Sequence, residues 1–68
     1  MSDSISVVIP VYNGENSLNE LYFRLKNTLE KITYNFEIIM VDDNSSDKSF
    51  EKIKDLRKKD KRIKAIKL

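Results

Sequence analysis

The sequence predicts an α/β fold in which three parallel strands alternate with two helices. Two observations lead to this prediction: short β-branched apolar runs recur along the chain, and segments with helical spacing of apolar residues separate them. A β-α-β-α-β alternation implies parallel strands joined by right-handed crossovers. We therefore expect one half of a Rossmann-like, doubly wound parallel sheet with strand order 3-2-1, formed by residues 1–68 as a single partial domain.

The first strand is predicted at residues 5–11, which are almost wholly apolar and β-branched, as in strands buried on both faces. Pro10 cannot donate to a strand ladder and marks the end of this strand. A helix is predicted at about residues 17–32, where apolar side chains recur at three- and four-residue steps. Ser17 and Glu20 have the spacing of a capping box, in which each side chain satisfies a backbone N–H group.

The second strand is predicted at residues 36–41, and it ends at six polar residues, 42–47, with strong turn preference. A highly charged second helix should begin near Asp47, which is suited to capping it or supporting the loop, and end near Lys59. Residues 63–68 complete the pattern as a third strand.

The composition excludes several kinds of chemistry. The 68 residues contain no Cys and no His, which removes disulfides, Cys/His zinc sites, thiolate nucleophiles and histidine general bases. No segment resembles a secretory signal or reaches the roughly 20 apolar residues of a membrane-spanning helix. We expect a cytoplasmic location, or the cytoplasmic face of the membrane for a longer protein, with membrane association only through regions outside these residues.

The charge is unevenly distributed, although the net charge is only +2. Nine of the thirteen Lys/Arg residues lie between Lys52 and Lys67, whereas the first fifty residues are net acidic. This run is either a surface for an anionic membrane or nucleic acid, or the solvated face of the second helix. The solvated face is favoured, because Asp55 and Asp60 interrupt the run and it lacks aromatic residues for base stacking. No nucleic acid partner is expected.

Polar clusters follow the first two strands, at residues 10–15 and 42–47. Ligands of open α/β sheets bind beyond the carboxyl ends of the strands, and neighbouring strands would place these two loops side by side. A tyrosine ring offers a flat surface for a base, and carboxylates accept hydrogen bonds from base N–H groups or ribose hydroxyls. Adjacent aspartates oppose a bare phosphate, so the cluster indicates the nucleoside part of a ligand, or a metal.

Both clusters carry motifs of a known family. Residues 5–15 resemble the opening of family 2 glycosyltransferases, with the pattern Pro-x-Tyr-Asn-x-Glu from Pro10 to Glu15. Residues 37–47 resemble the second motif of that family, Glu-Ile-Ile-x-Val-Asp-Asp-x-Ser-x-Asp, and the spacing between the motifs is typical. The most similar subgroup is the polyprenyl-phosphate sugar transferases, which are similar to dolichol-phosphate mannose synthase.

The resemblance implies a glycosyltransferase A fold and transfer of a sugar from a UDP- or GDP-sugar to an acceptor, such as polyprenyl phosphate or a growing glycan. It also implies Mg²⁺ or Mn²⁺ for the full enzyme. Carried over by position, Pro10, Tyr12 and Glu15 would line the nucleoside pocket. Asp42 would contact the base, and Asp43 would lie near the ribose.

Other parts of the family pattern have no counterpart here. The metal-binding Asp-x-Asp motif of the family follows a fourth strand, and its catalytic carboxylate and acceptor site lie further on. We therefore expect no catalytic and no metal-binding residue within residues 1–68, no metal bound by them alone, and no transferase activity. The first strand would also have a bare edge, so we expect these residues to self-associate.

Three other functions remain as alternatives. A signalling receiver module would carry its acidic pair after the first strand rather than the second. A dinucleotide-binding domain needs a glycine-rich loop after the first strand, and residues 12–16 contain a single glycine. A small basic interaction module would act through the carboxyl-terminal third of the chain.

Overall fold

The computed structural model describes residues 4–68, and its helices and strands alternate as the sequence predicts. The elements in chain order are β1 (Ile5–Val11), α1 (Leu18–Glu30), β2 (Phe36–Asp42), α2 (Ser49–Lys59) and β3 (Ile63–Lys67). All strands are parallel, and β2 lies between β1 and β3, which are the neighbours that the order 3-2-1 specifies. The α/β class and the parallel sheet are confirmed, whereas the completion of a doubly wound sheet stays a prediction.

The core lies between the sheet and the two helices. Val7 of β1 pairs with Ile38 of β2, which in turn pairs with Ile63 of β3, so these three side chains point to one face. Both crossovers step in the same direction across the sheet, and right-handed connections therefore place both helices on that face. Leu29 of α1 and Ile53 of α2 accordingly join the same buried cluster as the strand residues.

The other face of the sheet is open within residues 4–68. Val8 is 64% exposed, and Ser6 and Pro10 on the same side of β1 are exposed as well. Ile66 of β3 is also exposed there. The prediction that β1 is buried on both faces is therefore wrong for this part of the chain, because both helices cover the same side of the sheet.

The capping box predicted for α1 is not formed. Ser17 has helical backbone angles, and its hydroxyl donates to the carbonyl oxygen of Gly14 at 3.3 Å instead of capping the helix. Glu20 forms an exposed ion pair with Arg24 at 2.7 Å. A turn in which Gly14 accepts the N–H groups of Ser17 and Leu18 leads into the helix and replaces the side-chain cap. In the described part of the chain neither helix is long and apolar enough to cross a membrane.

A charged network closes the amino edge of the sheet, where β2 and β3 begin. The Arg62 guanidinium donates to both carboxylate oxygens of Asp60, at 2.9 Å each, and to Glu30 at 2.8 Å. It also lies 4.1 Å from the centre of the Phe36 ring. The Tyr22 hydroxyl donates to Asp60 at 2.7 Å. This network joins α1, the first residue of β2 and the turn before β3.

Candidate functional site

The loops that follow β1 and β2 meet at the carboxyl edge of the sheet. We call residues 12–17 loop 1 and residues 43–48 loop 2. The N–H group of Asp43 donates to the carbonyl oxygen of Val11 at 2.9 Å, which extends the strand pairing into the loops. The prediction that neighbouring strands bring the two polar clusters together agrees with this contact.

Loop 1 uses its backbone to hold residues that follow β2. Three successive N–H groups of loop 1 donate to side-chain oxygens there. These bonds are Asn13 to Ser45 Oγ at 2.9 Å, Gly14 to Ser49 Oγ at 2.8 Å, and Glu15 to Asp47 Oδ2 at 3.2 Å. Because these donors are already paired, they do not form a free cradle for an anion, which disfavours a phosphate site at this point of loop 1.

Loop 2 returns hydrogen bonds to side chains of loop 1. Asn13 Oδ1 accepts the N–H group of Ser46 at 2.9 Å, and Glu15 Oε1 accepts the N–H group of Lys48 at 3.3 Å. Asn13 and Asn44 both have left-handed backbone angles, with φ of 50° and 56°. Asparagine tolerates this region better than most residues do, so the sequence allows the tight turns that these bonds require.

Asp47 joins loop 2 to the start of α2. Its Oδ1 accepts both the N–H group of Ser49 at 2.9 Å and the hydroxyl of Ser49 at 2.5 Å. These bonds, led by the Ser49 hydroxyl, lower the pKa of Asp47. Asp47 therefore supports the loops and the first turn of α2.

Asp42, one of the five predicted site residues, is only 1% exposed. Its Oδ1 accepts the hydroxyl of Ser45. Among residues 4–68 no fully buried side-chain oxygen lacks a hydrogen-bond partner, and Asp42 Oδ2 accepts no hydrogen bond, so this oxygen keeps contact with solvent. One carboxylate oxygen is thus held by Ser45, and the other has only slight contact with solvent, because the residue is almost fully buried.

The other four predicted residues lie at the same edge of the sheet, but their exposure differs. Tyr12 is 67% exposed, and Asp43 is also exposed. Pro10 lies on the open face of the sheet, one residue before the end of β1. Glu15 is half-buried, with its carboxylate engaged by the Lys48 backbone. The exposed groups that a ligand can reach directly are therefore Tyr12, Asp43 and Pro10.

Sequence reasoning gave no role to Asn13, Ser45 and Ser49, although these side chains join the two loops. The available signal was weak. Ser45 follows Asp42 by three residues and Ser49 follows Asp47 by two, which are spacings at which Asp and Ser side chains form local hydrogen bonds. The long-range partners in loop 1 cannot be read from such spacings.

The described residues do not fit a metal ion. Residues 4–68 contain no group of three or more His, Cys, Asp or Glu side chains that could hold one. One Asp42 oxygen already accepts the hydroxyl of Ser45. Asp43 is the only acidic residue adjacent to Asp42 in the sequence. Residues 4–68 therefore do not supply the ligands for the Mg²⁺ or Mn²⁺ that is expected for a full enzyme.

The structure defines a parallel α/β domain, a class in which ligands bind beyond the carboxyl ends of the strands, where loop 1 and loop 2 lie here. The sequence model described as glycosyl transferase family 2 matches residues 6–68. The chain belongs to glycosyltransferase family 2.

Similar proteins agree with this assignment. The chain is 44% identical over 55 residues to a dolichol-phosphate mannosyltransferase of Pyrococcus furiosus, which covers 81% of the chain and 15% of that protein. It is 47% identical over 51 residues to an undecaprenyl-phosphate 4-deoxy-4-formamido-L-arabinose transferase of Aeromonas hydrophila, covering 75% of the chain and 16% of that protein. A Synechocystis protein described as an uncharacterized glycosyltransferase is 37% identical over all 68 residues, which are 21% of its length. The chain thus spans a small part of the curated relatives that it matches.

Proposed function

We propose that these residues form the donor-binding part of a glycosyltransferase and hold the nucleoside of a UDP- or GDP-sugar between loop 1 and loop 2. The observation that carries the proposal is the pair of loops: they are fixed to each other by hydrogen bonds, while Tyr12 and Asp43 stay exposed beside them. Loops that are already fixed lose little conformational entropy when a ligand binds.

Each predicted residue has a task in this proposal. The Tyr12 ring stacks on the base, and Pro10 supplies apolar surface next to it. The free Oδ2 atom of Asp42 accepts a base N–H group, and Asp43 accepts ribose hydroxyls. Glu15 acts on the ligand through loop 2, since its carboxylate holds the backbone of Lys48.

For the parent enzyme we propose transfer of the sugar to a polyprenyl phosphate. The similarity to a dolichol-phosphate mannosyltransferase and to an undecaprenyl-phosphate sugar transferase supports this acceptor class. Mg²⁺ or Mn²⁺ and the catalytic carboxylate belong, in this proposal, to parts of the enzyme beyond residues 4–68. These residues alone should therefore give no glycosyl transfer, and turnover above background in a transfer assay would contradict this.

The test of nucleotide binding is a titration of the chain followed by amide NMR. UDP or GDP should shift the amides of loop 1 and loop 2, centred on Tyr12 and Asp42, and the corresponding nucleoside should shift most of the same amides. Inorganic pyrophosphate separates the possibilities. If pyrophosphate reproduces the shifts of UDP and uridine gives none, the loops recognise phosphate and the proposal is wrong.

A matched pair of tyrosine variants tests the stacking role. Tyr12→Ala should weaken nucleotide binding about tenfold or more, since stacking on an aromatic ring contributes about 1–3 kcal/mol per base. Tyr34→Ala is the control, because Tyr34 is 72% exposed but lies in the turn before β2, at the opposite edge of the sheet. Equal losses in the two variants would remove Tyr12 from the site.

We also propose that the 68-residue chain self-associates through β1. Within residues 4–68, β1 pairs only with β2, so its second edge has free N–H and C=O groups. Sedimentation velocity should show association that increases with concentration. Val8→Lys should reduce it, because a lysine on an edge strand opposes pairing.

Ile66→Lys is the control for the site of association. Ile66 lies on the same open face as Val8, but on β3. If the chains pair through the β1 edge, only Val8→Lys reduces association, whereas stacking of open faces would be reduced by both variants. A monomer at every concentration would end this part of the proposal.

A further inference from the structure

The carboxyl-terminal part of the chain carries most of its positive charge. Nine Lys/Arg residues and two carboxylates lie between Lys52 and Lys67, a net charge of +7. The sequence alone favours a solvated helix face for this run, because Asp55 and Asp60 interrupt it and aromatic residues are absent from it. The sequence does not show whether the cations gather on one side or pair with acids. The structure answers both questions.

Several of these cations lie on one side of α2. Lys54, Arg57 and Lys58 follow Phe50 by four, seven and eight residues, so all of them project from the same side of the helix. That side borders β3, because the ammonium groups of Lys54 and Lys67 lie 5.1 and 5.4 Å from the centre of the Phe50 ring. We call Lys54, Arg57, Lys58 and Lys67 the basic flank.

The basic flank has no carboxylate partner. The ion pairs of residues 4–68 involve only Arg24, Lys26 and Arg62 as cations. All four residues of the flank are exposed. Glu51 precedes Lys54 by three residues and Asp55 precedes Lys58 by three, which is within reach on a helix, but neither carboxylate forms an ion pair within residues 4–68. An array of exposed cations without internal partners remains available to an external anionic surface.

We propose that the basic flank docks on an anionic lipid bilayer surface. Its cations occupy α2 and the outer strand β3, and an extension of the sheet at β1 would leave that edge exposed. Clustered lysines and arginines bind anionic lipid headgroups without needing a shaped pocket. This inference differs from the expectation that membrane association needs other regions, and it is independent of nucleotide binding.

A nucleic acid fits the flank less well. Phe50, the aromatic ring that these cations contact, is half-buried and has two ammonium groups near it, so it is poorly placed to stack on a base. A bilayer surface needs only a set of charges that can reach it together, and exposed long side chains on one flank meet that requirement.

The test measures binding of the 68-residue chain to vesicles by co-sedimentation. We expect binding to vesicles that contain phosphatidylglycerol and phosphatidylcholine, little binding to phosphatidylcholine alone, and loss of binding as the salt rises from about 0.05 to about 0.5 M. The triple variant with Lys54→Gln, Arg57→Gln and Lys58→Gln should lower the partition coefficient about fivefold for each cation, or about 100-fold.

The matched control removes three exposed cations elsewhere: Arg24→Gln, Lys31→Gln and Lys59→Gln. Lys59 lies nine residues from Phe50, which places it on the opposite side of α2. Both triple variants have the same net charge, so equal losses would show that total charge, and not the flank, attracts the vesicle. Circular dichroism checks folding, and the single variant Lys58→Glu replaces the triple variant if the latter does not fold.

Three other results would overturn the inference. The first is equal binding to vesicles with and without phosphatidylglycerol. The second is tighter binding to single-stranded RNA than to vesicles at the same salt, reduced by the same flank variant. The third is a flank variant that keeps its vesicle binding but self-associates more strongly than the wild type in sedimentation, since the cations would then only protect the β3 edge from pairing.

Discussion

The two edges of the sheet are both polar, but they are built in opposite ways. At the amino edge every carboxylate of the network meets the Arg62 guanidinium, and Tyr22 and Phe36 enclose it. At the carboxyl edge Asp42 and Asp47 are held by hydroxyls and backbone N–H groups, and Asp43 is exposed. No ion pair of residues 4–68 includes an acid of the carboxyl edge.

This difference separates stability from binding. Hydrogen bonding to Arg62 holds the pKa of Asp60 well below its usual range and lowers the pKa of Glu30, while Asp60 and Glu30 raise the pKa of Arg62. Carboxylates that are already paired with a guanidinium interact weakly with a ligand. Acids that are positioned by neutral donors keep their charge available, so we expect variants at the amino edge to affect folding and variants at the carboxyl edge to affect nucleotide binding.

The largest expected effect is that of Arg62→Ala on stability. It should lower the free energy of unfolding by about 3 kcal/mol, because the buried Asp60 loses its cation and Glu30 keeps only its longer ion pair with Lys26. Asp60 has a depressed pKa, so its contribution is present above its unfolded pKa and is lost as the pH falls below about 4. Urea unfolding at several pH values should show this acid loss in the wild type and less of it in the variant.

Arg24→Ala is the control, since the Arg24–Glu20 pair is exposed and should contribute at most about 1 kcal/mol. Arg62→Ala should bind nucleotide as the wild type does, under conditions where this variant is still folded. An affinity loss comparable with that of Tyr12→Ala would show that the two edges are not independent.

The next effect in size is that of Ser49→Ala, which breaks the joint between the loops. The Ser49 side chain is fully buried, and its loss leaves the Gly14 N–H group without its partner, at a cost of about 2 kcal/mol. Unlike Arg62→Ala, it should also weaken nucleotide binding, because the loops lose their fixed spacing. Ser46→Ala is the control: because Ser46 is exposed, this variant should change stability by less than about 0.5 kcal/mol. Wild-type affinity in folded Ser49→Ala would argue against a role for the fixed loop spacing in binding.

Much of this architecture follows from local sequence patterns. The strands, the helices and the meeting of the two loops were predictable because β-branched runs, apolar spacing and polar turns act over a few residues. The Asp60–Arg62 network was not, because Tyr22 and Glu30 lie more than thirty residues from their partners and no local pattern specifies them. The burial of Asp42 was not predictable either, because it depends on packing. From the sequence, a carboxylate at the end of a strand is expected to be exposed, and only the position of the helices shows that this face is covered.

Asp43→Asn should have a smaller effect, and on binding alone. Asp43 is exposed and forms no ion pair with a cation among residues 4–68, so stability should change by less than about 0.5 kcal/mol. Nucleotide affinity should fall about tenfold, since a hydrogen bond to a charged group contributes about 1.5–3 kcal/mol. Calorimetric titration with UDP or GDP measures this. Asp55→Asn is the control, since Asp55 is an exposed carboxylate on α2, and this variant should bind nucleotide as the wild type does. Equal losses of affinity in Asp43→Asn and Asp55→Asn would indicate a general charge effect.

The smallest effect concerns the Tyr22 hydroxyl. Burial, and then its hydrogen bond to Asp60, raises the pKa of Tyr22 from 10.0 to about 12. The folded protein therefore holds this proton more tightly than the unfolded chain, so the hydroxyl stabilises the fold below pH 10 and loses its effect as the pH rises towards about 12. Tyr22→Phe should unfold about 1 kcal/mol more easily at neutral pH.

The difference between the two proteins, and not the absolute stability, is the measurement to make, because lysines titrate in the same alkaline range. Urea unfolding of the wild type and of Tyr22→Phe should give a constant difference up to about pH 9 and a difference that shrinks between pH 10 and about 12. The difference shrinks because the phenolate that forms in the wild type is repelled by the Asp60 carboxylate. A difference that stays constant through this range would mean that Tyr22 supports Asp60 by packing alone, and that the amino edge depends on Arg62 and not on the hydroxyl.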